Sequence, residues 1–242
     1  MISKADVKWI RQLKQKKFRQ KHNAFVVEGE KLITELLQSD FKVLKGFSVG
    51  AHFDFQDITE RELKSISQLT TPNRHLAVVE QPLPQSNVKG LGNQMVLALD
   101  GVKDPGNLGT IIRIADWFGI QDLFCSEETV DAYNAKVVQA SMGSIFRVRV
   151  HHLNLVSFLG NYKKHFPEKP IYAADIEGEN AFESKLEPGL LILGSESHGL
   201  NKEVLQQAKR ITIPKFGHAE SLNVAVATGI LCSQFSKVNP QN

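Results

Sequence analysis

Cysteine is nearly absent: the 242-residue chain has two, Cys125 and Cys232. Both stand in apolar surroundings at no metal-ligand spacing, which argues against a disulfide framework and reads as two buried free thiols of a cytoplasmic protein. No apolar run approaches the ~20 residues that a membrane-spanning helix needs. The N-terminus is polar and basic with no hydrophobic stretch behind it, so it does not read as a secretory signal. A Gly-x-Gly-x-x-Gly loop and a Walker-type Gly-Lys-Ser/Thr are both missing, which removes the common dinucleotide and P-loop classes. There is no nucleophile elbow; the nearest approach, "GSESHG" (194–199), lacks the Gly-x-Ser-x-Gly spacing. His198 and His218 stand near Glu196 and Glu220 but fit no zinc signature, and no metal is expected.

The net charge of +3 conceals a segregation. Residues 1–22 carry Lys4, Lys8, Arg11, Lys14, Lys16, Lys17, Arg19 and Lys21 against the single acid Asp6, a net +7 that leaves −4 for the rest. A basic arm of this kind suits contact with a phosphate backbone, and Lys8, Arg11, Lys14, Lys17 and Arg19 are its candidate RNA-binding residues. A lysine-rich solvated helix would have the same composition, and charge alone does not choose between the two.

The hydrophobic pattern divides the chain. Ser3 and Asp6 open a helix in which Val7, Ile10 and Leu13 recur at helical spacing. Strand-like "AFVVEG" (24–29), "KVLKGFSV" (42–49) and "HLAVVE" (75–80) alternate with helical "EKLITELLQS" (30–39) and a helix opened by Thr59 and Glu62. Residues 1–80 thus predict a small α/β domain, and 81–93, "QPLPQSNVKGLGN", a linker. From 94 to 242 a second domain is expected. Its strands lie at 95–100, 122–126, 146–150, 170–175, 190–195 and 211–214, and its helices near 107–118, 133–141, 154–165, from 201, and at the C-terminus. Strands alternating with helices imply an α/β fold with a mostly parallel sheet and helices on both faces. Ligands in such sheets sit beyond the carboxyl ends of the strands.

Three polar, glycine-bearing loops leave those ends: 100–107, 194–200 and 215–223. They hold Asn107, Glu196, Ser221 and Asn223, with Arg113 in the helix that follows the first loop. Each has an ordinary reading: a helix cap for Asn107, Ser221 or Asn223, a surface charge for Arg113 or Glu196. Together they make an oxygen-recognising, phosphate-tolerant pocket without metal or nucleophile, suited to a reaction whose electrophile a cofactor carries.

"NLGTIIRIA" (107–115), "LILGSESHGL" (191–200) and "ITIPKFGHAESLNVAVATGI" (211–230) resemble, in order and spacing, the three motifs of the SpoU (TrmH-type) RNA ribose 2′-O-methyltransferases of the SPOUT superfamily. "ASMGSIFRVRV" (140–150) is similar to the family's segment between the first two motifs, and the likeness spans roughly 95–238. "FVVEGEKLITELL" (25–37) and "HLAVVE" resemble the frequent N-terminal substrate-binding domain of the family. The chain departs from the family pattern at Lys215, commonly apolar, and at His75, often glycine.

The resemblance implies a deep C-terminal trefoil knot, which ordinary connection rules would not suggest. It also implies a homodimer with the C-terminal helix and first motif near the interface. S-adenosylmethionine is the implied methyl donor, held at Gly194, Ile213 and Leu222 by backbone of the knot loops. Arg113, Asn107, Glu196, Ser221 and Asn223 become the implied catalytic set around a ribose 2′-hydroxyl. Arg113 as a general base is awkward because a guanidinium has no acceptor and does not give up its proton in proteins; a guanidinium that pairs with the adjacent phosphate and orients the hydroxyl fits better. Ribosomal RNA is the favoured substrate, transfer RNA the alternative, and a non-catalytic RNA-binding module the competing class.

Overall fold

The computed structural model describes residues 1–82, 91, 95–195 and 199–236. The expected linker therefore lies largely outside the described residues. Two compact units emerge: Met1–Leu83 with Asp131–Arg147, and Pro84–Val130 with Val148–Asn242.

In the first unit, α1 (Lys4–Gln12) starts where the Ser3 hydroxyl accepts a hydrogen bond from the Asp6 amide at 3.0 Å. The basic arm is not one helix. It breaks after Leu13 and resumes as α2 (Lys16–His22), which ends at Asn23 in the left-handed region. Then follow β1 (Ala24–Glu28), α3 (Glu30–Leu37), β2 (Val43–Ser48), β3 (Gln56–Asp57), α4 (Glu60–Ile66) and β4 (His75–Glu80). Thr59 and Glu62 form the expected reciprocal cap on α4. The strands order as β1-β4-β2-β3, antiparallel except for the short parallel β2–β3 pair. Ile10 and Leu13 pack with Val26, Phe47, Ile66 and Leu76 in the core. His75 is buried at the start of β4, with Nδ1 3.0 Å from the Ser48 hydroxyl. Burial, then the charge of nearby His52, holds its imidazole below the ordinary range.

Residues 131–147 carry α6 (Ala135–Ser141) and a 3-10 turn at Ser144–Phe146. Gln139 donates to the Glu28 carbonyl at 2.8 Å, and the Phe25 and Tyr133 rings lie 4.6 Å apart. The firmest tie is Arg19. Only 2% exposed, it donates through Nε and Nη2 to Asp131 and through Nη1 to the carbonyls of Leu13 and Lys14.

The second unit is one parallel sheet. Its strands are β5 (Val96–Asp100), β6 (Asp122–Ser126), β7 (Arg149–Leu153), β8 (Ile171–Asn180), β9 (Leu190–Gly194) and β10 (Lys209–Thr212). They order as β10-β8-β9-β5-β6-β7, with every neighbouring pair parallel. It is flanked by α5 (Pro105–Trp117), α7 (Leu155–His165), α8 (Lys202–Leu205) and α9 (Val224–Ser236). The expected strand at 146–150 forms three residues later, because Phe146 closes the 3-10 turn and Arg149 is the first residue to pair with β6. At that edge burial works against ionisation of Asp122, but hydrogen bonds from His151 and Arg149 outweigh it and hold the carboxyl at about 2.

Arg19→Ala should lower the stability of the first unit by about 3–5 kcal/mol, because Asp131 would be left as an uncompensated, largely buried charge. Lys14→Ala, at an exposed position, should stay within about 0.5 kcal/mol. Urea unfolding of both variants checks this, and an equally small effect of the two would place Arg19 at the surface.

Candidate active site

Pairing between β10 and β8 does not run evenly. Arg210 faces Ala173, but the next residue, Ile211, faces Glu179. Residues 174–178 of β8 are therefore left out of the ladder. Four of them, Ala174, Asp175, Ile176 and Glu177, form one wall of a cavity of about 900 Å³, large for a small-molecule site. Gly178 brings the chain back to β10, and a Cβ there would lie 2.5 Å from the Ile211 backbone. Only glycine allows that approach.

The second wall is the end of β9. A Cβ on Gly194 would meet the Gly199 carbonyl carbon at 2.3 Å. The chain returns on itself there: the Ser195 and Gly199 amides each donate to the other's carbonyl, at 3.2 and 2.9 Å. Asp100, at the end of β5, accepts from the Asn201 amide at 2.9 Å and anchors the far side of this loop. The third wall runs from Ile213 through Lys215, Phe216, Ser221 and Leu222 to Val224. Residues 215–223 are all exposed, so this loop faces solvent on its outer side.

Helix α5 starts earlier than the sequence suggests. Asp104 is its cap, accepting from the Asn107 amide at 2.8 Å, and Pro105 occupies the first turn, where a missing N–H costs nothing. Asn107 is thereby released from capping. Its side-chain oxygen accepts a 2.9 Å hydrogen bond from the Asn223 amide nitrogen. Asn223 in turn caps α9, its oxygen accepting from the amides of Ala225 and Val226 at 3.0 and 3.3 Å. One amide pair thus joins the first turn of α5 to the loop of the third wall. Arg113 is exposed on α5 and makes no hydrogen bond or ion pair among the described residues.

Gly194, Ile213, Leu222 and Ser221 therefore share one cavity, and Asn107 and Asn223 meet at its border. Glu196 lies outside the described residues, as do Ser197 and His198. In the first unit Lys8 and Arg11 border a shallow groove with Lys4 and Gln15, and Lys14 and Lys17 are exposed. Arg11 also donates to the Ser65 carbonyl at 2.6 Å. Arg19 stands apart from the surface set: its guanidinium is engaged inside the protein and has no face to offer RNA. Sequence reasoning missed Asp175 and Glu177. The signal was a glycine among acids in "DIEGEN", which within a strand pattern marks a bulge. No cluster of three or more potential metal ligands occurs among the described residues.

A parallel α/β sheet in which the skipped stretch of β8, the end of β9 and the segment after β10 line one cavity is the architecture of a methyltransferase with the SPOUT fold, and the loop 100–107 contributes nothing to that lining. Residues 94–233 match the SpoU rRNA Methylase family and residues 4–77 the MRM3-like substrate binding domain. The chain belongs to the SpoU family. It is 31% identical over 239 residues to the 23S rRNA (guanosine(2553)-2′-O)-methyltransferase RlmP of Bacillus subtilis, covering 93% of each chain. A putative TrmH-family RNA methyltransferase from Porphyromonas gingivalis superposes with a TM-score of 0.88 at 37% identity, over 99% of this chain and all of that one. An AdoMet-bound rRNA methyltransferase from Sinorhizobium meliloti superposes with a TM-score of 0.87 at 29% identity, over 99% and 97%.

If the glycine approaches shape the cavity, Gly178→Ala and Gly194→Ala should each lower stability by about 1–3 kcal/mol, the range for forced overpacking. Gly217→Ala is the control, since a Cβ there meets nothing within 4 Å, and it should be neutral. Thermal melts of the three proteins test this. Equal melting temperatures would mean that the loops close without the glycines.

Proposed function

We propose that the protein transfers a methyl group from S-adenosylmethionine to a ribose 2′-hydroxyl of ribosomal RNA. The observation that carries this reading is the meeting of Asn107 with Asn223 at the border of a cavity lined by Gly194, Ile213 and Leu222. The named activities of the similar Bacillus and Sinorhizobium proteins support it.

The cavity fits the donor's chemistry. Apolar Leu193, Ile211 and Leu222 suit a purine, and the carboxylate of Glu220 suits a molecule with a sulfonium and an ammonium group, while those of Asp175 and Glu177 are shared with Arg210 at 3.7 and 3.3 Å. Backbone at Gly194, Ile213 and Leu222 would hold it. Bound, it supplies an already activated methyl, so the protein's own task is to place the hydroxyl and let its proton leave. Arg113 pairs with the phosphate beside the target ribose, its planar fork holding a phosphate and a ribose oxygen together. Ser221, Glu196 and the Asn107–Asn223 pair orient the ribose. With no base of suitable pKa required, the proton passes to phosphate or water.

The finer organisation follows the same reading. Residues 1–80 serve as the RNA-binding domain, 81–93 as linker and 94–242 as the methyltransferase domain, the last closed by a trefoil knot. The return of α9 to α5 and β9 after edge strand β10 supports the knot. The protein is a homodimer through α5 and α9, supported by Trp117, 84% exposed, and Val226, 52% exposed, on those helices. It works in the cytoplasm, in keeping with the buried free thiols.

Labelled S-adenosylmethionine with separated unmodified ribosomal and transfer RNAs tests the substrate; label confined to transfer RNA would overturn the ribosomal assignment. Arg113→Lys should reduce transfer by ~10²-fold or more, the scale of a misplaced reacting group, while calorimetry finds affinity for S-adenosylhomocysteine unchanged. Full activity in Arg113→Lys would remove the phosphate fork.

The exposed Lys8, Arg11, Lys14 and Lys17 supply nonspecific affinity. Replacing each by Ala should flatten the slope of log affinity against log salt by roughly 0.7–0.9 for every phosphate that the arm no longer neutralises. An unchanged slope in the fourfold variant would assign the arm to a solvated surface.

A further inference from the structure

We propose that Phe216, with Lys215 beside it, forms a platform on which a nucleobase of the substrate RNA stacks at the mouth of the cavity. The proposal rests on the RNA methylation assigned above and adds a recognition element to it.

An apolar side chain scattered on a surface needs no special explanation. Phe216 differs in its place. It is 94% exposed yet lines the cavity, on the same loop as Ser221, Leu222 and Asn223. A base held on its ring would therefore lie close to the groups assigned to the acceptor ribose. Its neighbours are polar: Lys215, His218 and Glu220 are all exposed, and the space around the Gly217 Cβ position is open. The chain neighbours Lys215, Gly217 and His218 add no apolar surface, whereas exposed Ile176 and Leu222 line the same cavity, so an interface with a second copy of the chain is one outcome of the test below.

A lone aromatic face beside a cation is the chemistry that binds single-stranded nucleic acid. Every base has a π face to stack, and the ammonium takes a neighbouring phosphate. The ring faces solvent rather than a packed wall, so the occupant must come from outside.

The test uses the full-length protein and an unmodified large-subunit ribosomal RNA transcript. Binding is measured with saturating S-adenosylhomocysteine, and methyl transfer is measured in parallel. Phe216→Ala and Phe216→Leu should each weaken RNA binding by about 5- to 100-fold, the range for removing one base stack. Phe216→Trp, which keeps a π face, should stay within about threefold of the parent. Lys215→Ala should flatten the salt slope by roughly 0.7, one phosphate contact to a single strand. Affinity for S-adenosylhomocysteine and the sedimentation coefficient should not move in any variant.

Phe216→Leu binding RNA as well as the parent would overturn the proposal, because the ring would then be only apolar bulk. A matching loss of S-adenosylhomocysteine affinity would overturn it in favour of a donor-covering role, and a shift to monomer in favour of an interface role. Parent protein that binds the transcript without methylating it would overturn the reaction instead, and the Phe216 series would still be decided on binding. Parent protein that does not bind the transcript would overturn both.

Discussion

Gly194 and Gly199 come so close that a single methyl group on the first would lie inside the backbone of the second. The same holds where Gly178 passes Ile211. These two backbone-on-backbone contacts set the position of everything around the cavity. A parallel sheet ends in loops that diverge as the strands twist, and a pocket forms only where something draws them together again. Here the β9 loop folds onto its own strand, the skipped stretch of β8 stands out as a wall, and β10 resumes its pairing behind it. Side chains play the smaller part. On the proposed reaction, a donor held by backbone would need few dedicated side chains and would leave the polar residues for the acceptor.

The Asn107–Asn223 pair ties α5 to that backbone frame. It connects the first turn of α5 with the cap of α9, so a shift of either helix is felt by the other. Asp104 makes this possible by taking over the cap and leaving the Asn107 side chain for its cross-helix partner. Arg113 is the complement. Exposed on α5 and without an ion pair among the described residues, its guanidinium would break no existing salt bridge on pairing with the phosphate of the proposed substrate.

Most of this was legible in the chain. The parallel sheet followed from alternating strand and helix patterns, and two of the three expected strand-end loops, 194–200 and 215–223, contribute to the cavity lining while 100–107 does not. What stayed hidden was set by distance or by competition between neighbours. Arg19 counted with the basic arm because its partner Asp131 lies 112 residues away. Asn107 read as a cap because Asn favours that position, and Asp104, an equally good cap three residues earlier, won it. The cavity wall at Asp175–Glu177 was hidden inside an apparently short strand: the glycine in "DIEGEN" marks a bulge, but the pairing of β10 on both sides of it joins residues more than 30 positions apart. The packing of residues 131–147 with the first unit was equally invisible, resting on contacts such as Gln139 with Glu28 and Tyr133 with Phe25.

The central claim is that the methyl goes to a ribose oxygen and not to a base. Alkaline hydrolysis of RNA requires a free 2′-hydroxyl to attack the neighbouring phosphate, and methylation of that hydroxyl blocks the cut. The most direct measurement is therefore complete alkaline digestion of ribosomal RNA labelled by the protein with methyl-tritiated S-adenosylmethionine. The account predicts label in alkali-resistant dinucleotides. Label in mononucleotides would show a methylated base and contradict the account.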